Sequence, residues 1–289
     1  MKNILIVGSS GKIGSFLLDS LKSNYRIYTV SRYNSDDSNF YYDFDKQLGD
    51  LALLKDIDFN VVINCIGILP SSNFSELSYF RVNSESINIL ASYLNSDCKF
   101  IFMSTISVYG ETIVDRDVIE TDKVNPKNLY AKSKQQGEFF SKKQFKNHYI
   151  LRIPPVYSNF EDKTIYKRII KNSFIEIKFG DDSQLHSYCS LKTLSAVTNK
   201  LIENNCETGI YHIADQKLYS NNFLKGKLKI NSLITIKIYK THFKLLLRLF
   251  KWLKIKFIEN KINEIYYKLF CNNVYSTNKI YNQLNNELP

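Results

Sequence analysis

The sequence predicts an α/β protein: a doubly wound parallel sheet followed by a smaller C-terminal α/β annex. Three observations point to it. Short apolar strands alternate with amphipathic helices over residues 1–155. A glycine-rich turn directly follows the first strand. The alternation then loosens after Pro154-Pro155, where the annex is expected to occupy 156–289, with elements near 186–215 returning to the main sheet. With 289 residues, 44% of them hydrophobic, the chain can bury such a sheet on both faces.

The first strand is the apolar run of residues 3–8, which closes on Gly8. Residues 12–23 have helical spacing, with Ile13, Phe16, Leu17 and Leu21 on one face. Strands are expected from Tyr25 to Val30 and from Val61 to Ile66. A long helix over 75–96 should turn Leu77, Phe80, Ile87, Leu90 and Leu94 inward. Lys99 to Ser104 is the next strand, 127–146 the next helix, and Tyr149 to Ile153 the fifth strand. The strands are apolar on both faces, which implies helices on both sides of a parallel sheet. In the annex, helical stretches fall near 161–172, 190–204 and 241–270, and strands near 174–179, 209–214 and 233–239.

Composition narrows the function classes. Only four apolar residues, Ile4 to Val7, stand between Lys2 and Gly8, too few for a secretory leader. No stretch of about 18 residues is free of charge, so no membrane-spanning helix is expected. Cys65, Cys98, Cys189, Cys206 and Cys271 are odd in number and scattered, which fits a reducing cytoplasm and neither a disulfide framework nor a metal site. The net charge of +11 fits a solvated surface, an anionic small molecule, or an anionic polymer or lipid. The motifs favour the small molecule, and nucleic acid is not an expected partner.

The first strand ends in Gly8-Ser9-Ser10-Gly11-Lys12-Ile13-Gly14. Gly8 permits a tight turn, Gly11 lets the backbone approach a pyrophosphate, and Gly14 lets the helix pack on the strand. The helix start offers N–H groups and partial positive charge to phosphates. The alternative is a plain strand-to-helix turn. At the end of the second strand, an acidic residue would bind the ribose hydroxyls of NAD. Val30-Ser31-Arg32 stands there instead and tilts the expectation to the 2′-phosphate of NADP, unless Arg32 simply points to water. Asp43 is placed to reach the adenine edge.

Three further stretches carry chemistry: Met103 to Gly110, Tyr130 to Glu138, and Leu151 to Tyr157. Tyr130 and Lys134, four apart, share a helix face. A neighbouring ammonium is expected to pull the phenol, ordinarily near pKa 10, towards neutrality. Such a phenol can pass a proton to or from a substrate oxygen that Thr105 orients.

With these residues in place the sequence resembles the extended short-chain dehydrogenase/reductase family, also called the NAD-dependent epimerase/dehydratase family. Tyr130 and Lys134 match its Y-x-x-x-K pair, and Thr105 its catalytic Ser/Thr, three residues before Val108-Tyr109-Gly110. Asn64 to Gly67, Val82-Asn83, Arg152 to Tyr157, His186 to Cys189, and Gly209 to Ile213 resemble later segments of the same pattern. The resemblance implies a Rossmann-type fold and catalytic Thr105, Tyr130 and Lys134. It implies a site for NADP or NAD made of Gly8, Ser10, Gly11, Lys12, Ile13, Gly14, Arg32, Asp43, Gly67, Asn83, Tyr130, Lys134 and Pro155. The substrate implied is a nucleotide-activated sugar, reduced or epimerised at its 4-position, and the assembly a homodimer. Family dehydratases carry Asp-Glu after the catalytic Thr; Ile106-Ser107 stands here, which disfavours dehydration. The competing reading is a non-catalytic dinucleotide sensor or scaffold.

Lys240, Lys244, Arg248 and Lys251 recur at helical spacing among Leu and Phe residues. The favoured reading packs the apolar face on the annex. The other lays residues 240–258 on an anionic membrane surface.

Overall fold

The alternation of apolar side chains along the strands sets the architecture. In the first strand Ile4 and Ile6 join one hydrophobic cluster and Leu5 joins a second, on opposite faces, each fully buried. The computed structural model describes residues 1–32, 39–70, 74–110, 116–159, 175–179, 183–227, 234–239 and 271–284, with positions 241, 242, 244, 245, 248 and 266. Its elements begin β1 (Asn3–Val7), α1 (Lys12–Leu21), β2 (Arg26–Ser31), β3 (Asn39–Asp43), β4 (Leu48–Gly49) and β5 (Val61–Asn64). They continue with α2 (Glu76–Phe80), α3 (Ser86–Ala91), β6 (Lys99–Thr105), α4 (Leu129–Gln144), β7 (Asn147–Ile153), β8 (Val156–Tyr157), β9 (Ile175–Phe179), β10 (Leu185–His186) and β11 (Cys189–Ser190). A longer helix, α5 (Leu191–Glu203), precedes β12 (Gly209–His212), β13 (Tyr219–Ser220) and β14 (Ile234–Ile238).

The main sheet has eight strands in the order β12-β7-β6-β5-β1-β2-β3-β4, parallel except for β3 with β4. The chain runs outward from β1 to β4 and then returns to β5 on the other flank of β1. Strand order therefore reverses between β1 and β5, which opens a crevice at their carboxyl ends. Leu17 and Leu21 of α1 and Leu194, Val197 and Leu201 of α5 cover one face. Ile87 and Leu90 of α3 cover the other, with Phe145 stacked on Phe100 at 4.0 Å between ring centroids. The doubly wound parallel sheet is the fold expected from the sequence, and strand 209–212 lies in it at the β7 edge.

Two departures have clear causes. β3 and β4 escape a reading of apolar runs because they lie at the polar edge of the sheet, where Asn39, Tyr41, Tyr42 and Asp43 make up most of β3. The expected helix over 75–96 is broken by a π turn at Arg81–Glu85 between α2 and α3. A π turn adds a residue and rotates the helix beyond it by roughly 100°. Leu77 is consequently 52% exposed while Ile87 and Leu90 are fully buried, and Ser78, Tyr79, Asn83 and Ser84 take the inward positions.

Beyond β7, β8 pairs with β11, β10 with β13, and β9 with β14. Tyr157, Tyr188 and Tyr219 pack edge to face around Leu224. The Asp215 carboxylate accepts the Tyr157 hydroxyl at 2.7 Å and the Thr193 hydroxyl at 2.6 Å. The last described segment returns to the main body: Val118 bridges Tyr275 and His186 bridges Asn273. The helix expected near 161–172 lies outside the described residues. So does most of 240–258, Lys240 and Lys251 included; Lys244, Leu245 and Arg248 are helical and exposed. Among the described residues no helix is long and apolar enough to cross a membrane.

Candidate active site

The glycine turn leaves β1 at the crevice. Gly8 has φ +86°, and a Cβ there would lie 2.6 Å from the Ile66 Cγ2 of the neighbouring turn. Gly14 abuts the turn itself, since its Cβ would fall 2.2 Å from the Gly8 carbonyl oxygen. At Gly11 an added Cβ would meet nothing nearer than the Gly8 carbonyl oxygen at 3.4 Å, so the middle glycine faces open space. Gly11 caps α1 and, having no side chain, makes no cap bond of its own to the helix start. N–H groups at a helix start can serve an anionic ligand. Ser10 and Lys12 are exposed beside it and Ile13 is half-buried. Lys12 Nζ donates to the Val156 carbonyl at 3.0 Å, next to Pro155, and ties the turn to the start of β8.

On the other wall, the β5 turn is stitched to α4. Asn83 accepts the Ile68 N–H at 2.7 Å and donates to Ser133 Oγ at 2.9 Å. Gly67 permits this closeness: a Cβ there would be 3.1 Å from Lys134 Nζ and 3.3 Å from Asn83 Oδ1. Asn83 thus carries the loop and spends its amide inside the protein. Lys134 is buried and donates to the Ile66 carbonyl at 3.1 Å and the Met103 carbonyl at 2.9 Å, with its ammonium 4.8 Å from the centre of the Phe102 ring. Desolvation pushes its pKa down to about 8, against the pull of Cys65 and Glu138.

Thr105 ends β6 and caps the turn Ile106–Tyr109 by accepting the Ser107 N–H at 3.1 Å. Tyr130 begins α4, whose start Asn128 caps by accepting the Ala131 N–H at 2.9 Å. The Tyr130 phenol feels the Thr105 side chain. Burial raises its pKa above the ordinary value, and Thr105 lowers it part of the way back. The expectation that Lys134 tunes this phenol is corrected here. The Lys134 ammonium is turned to two backbone carbonyls, and the group that acts against desolvation at this phenol is Thr105.

Arg32 and Asp43 flank the far end of the crevice. Arg32 is exposed at the end of β2 with no side-chain partner among the described residues. Asp43 is buried, and its Oδ1 accepts the N–H groups of Asp45 at 3.0 Å and Lys46 at 3.2 Å. One oxygen of the carboxylate expected at the adenine edge therefore holds its own turn.

Residues 1–225, more than three quarters of the chain, match the family described as the RmlD substrate binding domain. The chain belongs to this family. That places it among the extended short-chain dehydrogenases/reductases, the kinship read from its motifs. A sterol-4-alpha-carboxylate 3-dehydrogenase (decarboxylating) of Dictyostelium discoideum is 23% identical over 264 residues, 81% of this chain and 79% of that protein. The UDP-glucuronic acid 4-epimerase of Bacillus cereus, solved with NAD, aligns at TM-score 0.63 and 20% identity over 82% of this chain and 86% of that one. The dTDP-4-dehydrorhamnose reductase of Bacillus anthracis, solved with NADP, gives TM-score 0.63 and 20% identity over 84% and 86%. At such identity the two structures establish the fold. The room above Gly11 and the N-terminal end of α1 fit the dinucleotide that both neighbours hold.

In this RmlD-family chain the site rests on a buried polar chain that the sequence does not announce. Arg152 of β7 grips Glu138 of α4 with two bonds, Nε to Oε1 at 3.0 Å and Nη2 to Oε2 at 2.7 Å. Ser104, beside Thr105, donates to the same carboxylate at 2.6 Å. Arg152 also donates to the Tyr109 hydroxyl at 2.7 Å, which lies 2.6 Å from His212 Nε2. The His212 Nδ1 is 3.0 Å from the Ser276 carbonyl, so the ring suits a neutral state, which burial favours by lowering its pKa. Burial works against the Arg152 charge, and Glu138 and Tyr109 more than restore it. The available signal was an arginine between Leu151 and Ile153 in an otherwise apolar strand, and a glutamate one turn beyond Lys134.

Proposed function

We propose that the protein is an NAD(P)-dependent oxidoreductase acting at the 4-position of a nucleotide-activated sugar, with net reduction of a 4-keto sugar as its forward reaction. The observation that carries the reading is the meeting of Thr105, Tyr130 and Lys134 at the carboxyl end of the sheet, on one crevice with the Gly8–Gly14 turn. When bound, the dinucleotide supplies or accepts the hydride. Its pyrophosphate would lie on Gly11 and the start of α1, and its nicotinamide ribose near Lys134.

Thr105 orients the substrate oxygen, and Tyr130 holds the proton that oxygen gains or loses. Desolvation keeps the phenol protonated near neutrality. That is the form needed when a carbonyl becomes a hydroxyl. The exposed Arg32 supports NADP. An epimerase would need the phenol to work in both directions and would retain its dinucleotide.

Mass spectrometry of dinucleotide released on denaturation, followed by NADPH consumption against a panel of UDP- and dTDP-linked 4-keto hexoses, tests the reading. The expected result is an empty site, NADPH-dependent turnover, and a loss of about 10²-fold or more in Tyr130→Phe. Full turnover by Tyr130→Phe refutes the mechanism. Saturable NADP binding with no turnover across the panel favours a dinucleotide sensor instead.

A further inference from the structure

Asn64 closes β5 in an apolar setting. Its register partners are Val7 of β1 and Phe102 of β6, and all three side chains are buried. An aliphatic side chain would suit such a place. The amide oxygen has a task there: Asn64 Oδ1 accepts the Ile66 N–H at 3.2 Å, two residues on. That bond decides which end of the amide faces the turn, so the other end is the Nδ2 donor. Among the described residues Nδ2 has no hydrogen-bond partner. A buried donor left unpaired works against stability. Local conflicts of this kind gather at functional sites.

What the bond holds is Ile66. Cys65 still follows the ladder, its N–H donating to the Val7 carbonyl at 2.8 Å. At Ile66 the N–H turns to Asn64 instead. The Ile66 carbonyl accepts Lys134 Nζ at 3.1 Å, and the Ile66 side chain lies over the glycine turn, where a Cβ on Gly8 would meet its Cγ2 at 2.6 Å. One residue so joins Lys134 to the Gly8–Gly14 turn. We infer that Asn64 is a positioning residue: by capturing the Ile66 N–H it fixes the Ile66 carbonyl on Lys134 and the Ile66 side chain on the glycine turn, and leaves its own amide N–H unpaired to do so. The inference rests on the functional reading above, in which Lys134 lies near the nicotinamide ribose. Cys65 and Glu138 also act on the Lys134 charge, and both remain in the variants below.

The test uses the intact protein, first without ligand. Lysine is labelled with ¹³C at Cε, the Lys134 signal is assigned by its loss in Lys134→Met, and its titration is followed by NMR. In Asn64→Leu the Ile66 carbonyl is released, the ammonium keeps only the Met103 carbonyl, and the Lys134 midpoint should fall by about one pH unit from the wild-type value. Asn64→Ser keeps an acceptor that can reach the N–H two residues on, and should recover most of that shift. An unchanged or higher midpoint in Asn64→Leu overturns the proposal, and so does an equal fall in Asn64→Ser. Asn64→Leu should also unfold at a urea concentration no lower than the wild type does, because the unpaired donor is gone; a lower one means that the amide serves the fold, and overturns the proposal too. Where the wild type binds NADPH, Asn64→Leu should bind it about tenfold more weakly, and equal affinity counts against the proposal in the same way. A wild type that binds neither dinucleotide would sink the functional reading instead, and would leave the Lys134 titration as it was measured.

Discussion

Gly137 is the narrowest point in the support of the site. It sits on α4 between Lys134 and Ser141, and a Cβ there would be 2.6 Å from the Asn83 carbonyl oxygen and 2.7 Å from Phe102 Cζ. Two effects oppose each other in Gly137→Ala. Glycine in a helix interior costs about 1 kcal/mol relative to alanine. Forcing a methyl into a packed contact costs about 1–3 kcal/mol. Neither neighbour can yield. The Asn83 carbonyl belongs to the π turn, whose side chain is bonded to Ile68 and Ser133, and Phe102 is buried in a central strand beneath Lys134. The clash should therefore reach the upper end of its range, with a net loss of about 1–2 kcal/mol and a Tm lower by several degrees. The same displacement moves Lys134 and Tyr130, so NADP affinity should fall with stability. Gly226 provides the control, since a Cβ there meets nothing within 4 Å among the described residues. Gly226→Ala should be neutral or stabilising by up to about 1 kcal/mol. Urea denaturation at constant m reads both. A Gly137→Ala protein as stable as the wild type would show that α4 does not press on the π turn, and the packing argument would fail.

The buried charges give two more expectations. Glu138→Ala leaves the Arg152 guanidinium buried without its carboxylate and should cost about 3–5 kcal/mol in urea unfolding; a loss under about 1 kcal/mol would mean the pair is solvated. Lys134 binds its proton less tightly folded, near pH 8, than unfolded, near 10.5. The unfolded chain therefore holds more protons between those values, and this group's contribution to stability rises with pH across that window. Relative to Lys134→Met, the wild type should gain about 2 kcal/mol between pH 7.5 and 9.5. A difference that does not change with pH would place Lys134 in contact with solvent.

Periodicity and glycine spacing were sufficient for much of this protein. Ile4 to Val7, Val61 to Ile63 and Phe100 to Met103 are apolar on both faces, as strands buried on both sides of a parallel sheet are. The spacing of Gly8, Gly11 and Gly14 is local backbone chemistry, so the turn could be read directly. The Tyr130–Lys134 interval is one helical turn, and this was legible for the same reason.

Quantities that depend on partners distant along the chain were beyond the reach of the sequence. The π turn at Arg81–Glu85 lies against α4 at Gly137, a contact between distant segments that no local propensity encodes. The ionisation of Lys134 is set by burial against Cys65 and Glu138, and that of Tyr130 by burial against Thr105, so the expected direct coupling of the pair was replaced by separate effects. The Glu138–Arg152–Tyr109–His212 chain joins residues up to 103 positions apart, across α4, β7 and β12. Sequence alone determined which elements form and where their glycines and titratable groups lie. Only the tertiary structure decided which of those groups are desolvated, which hydrogen bonds they spend, and therefore which protons are available at the site.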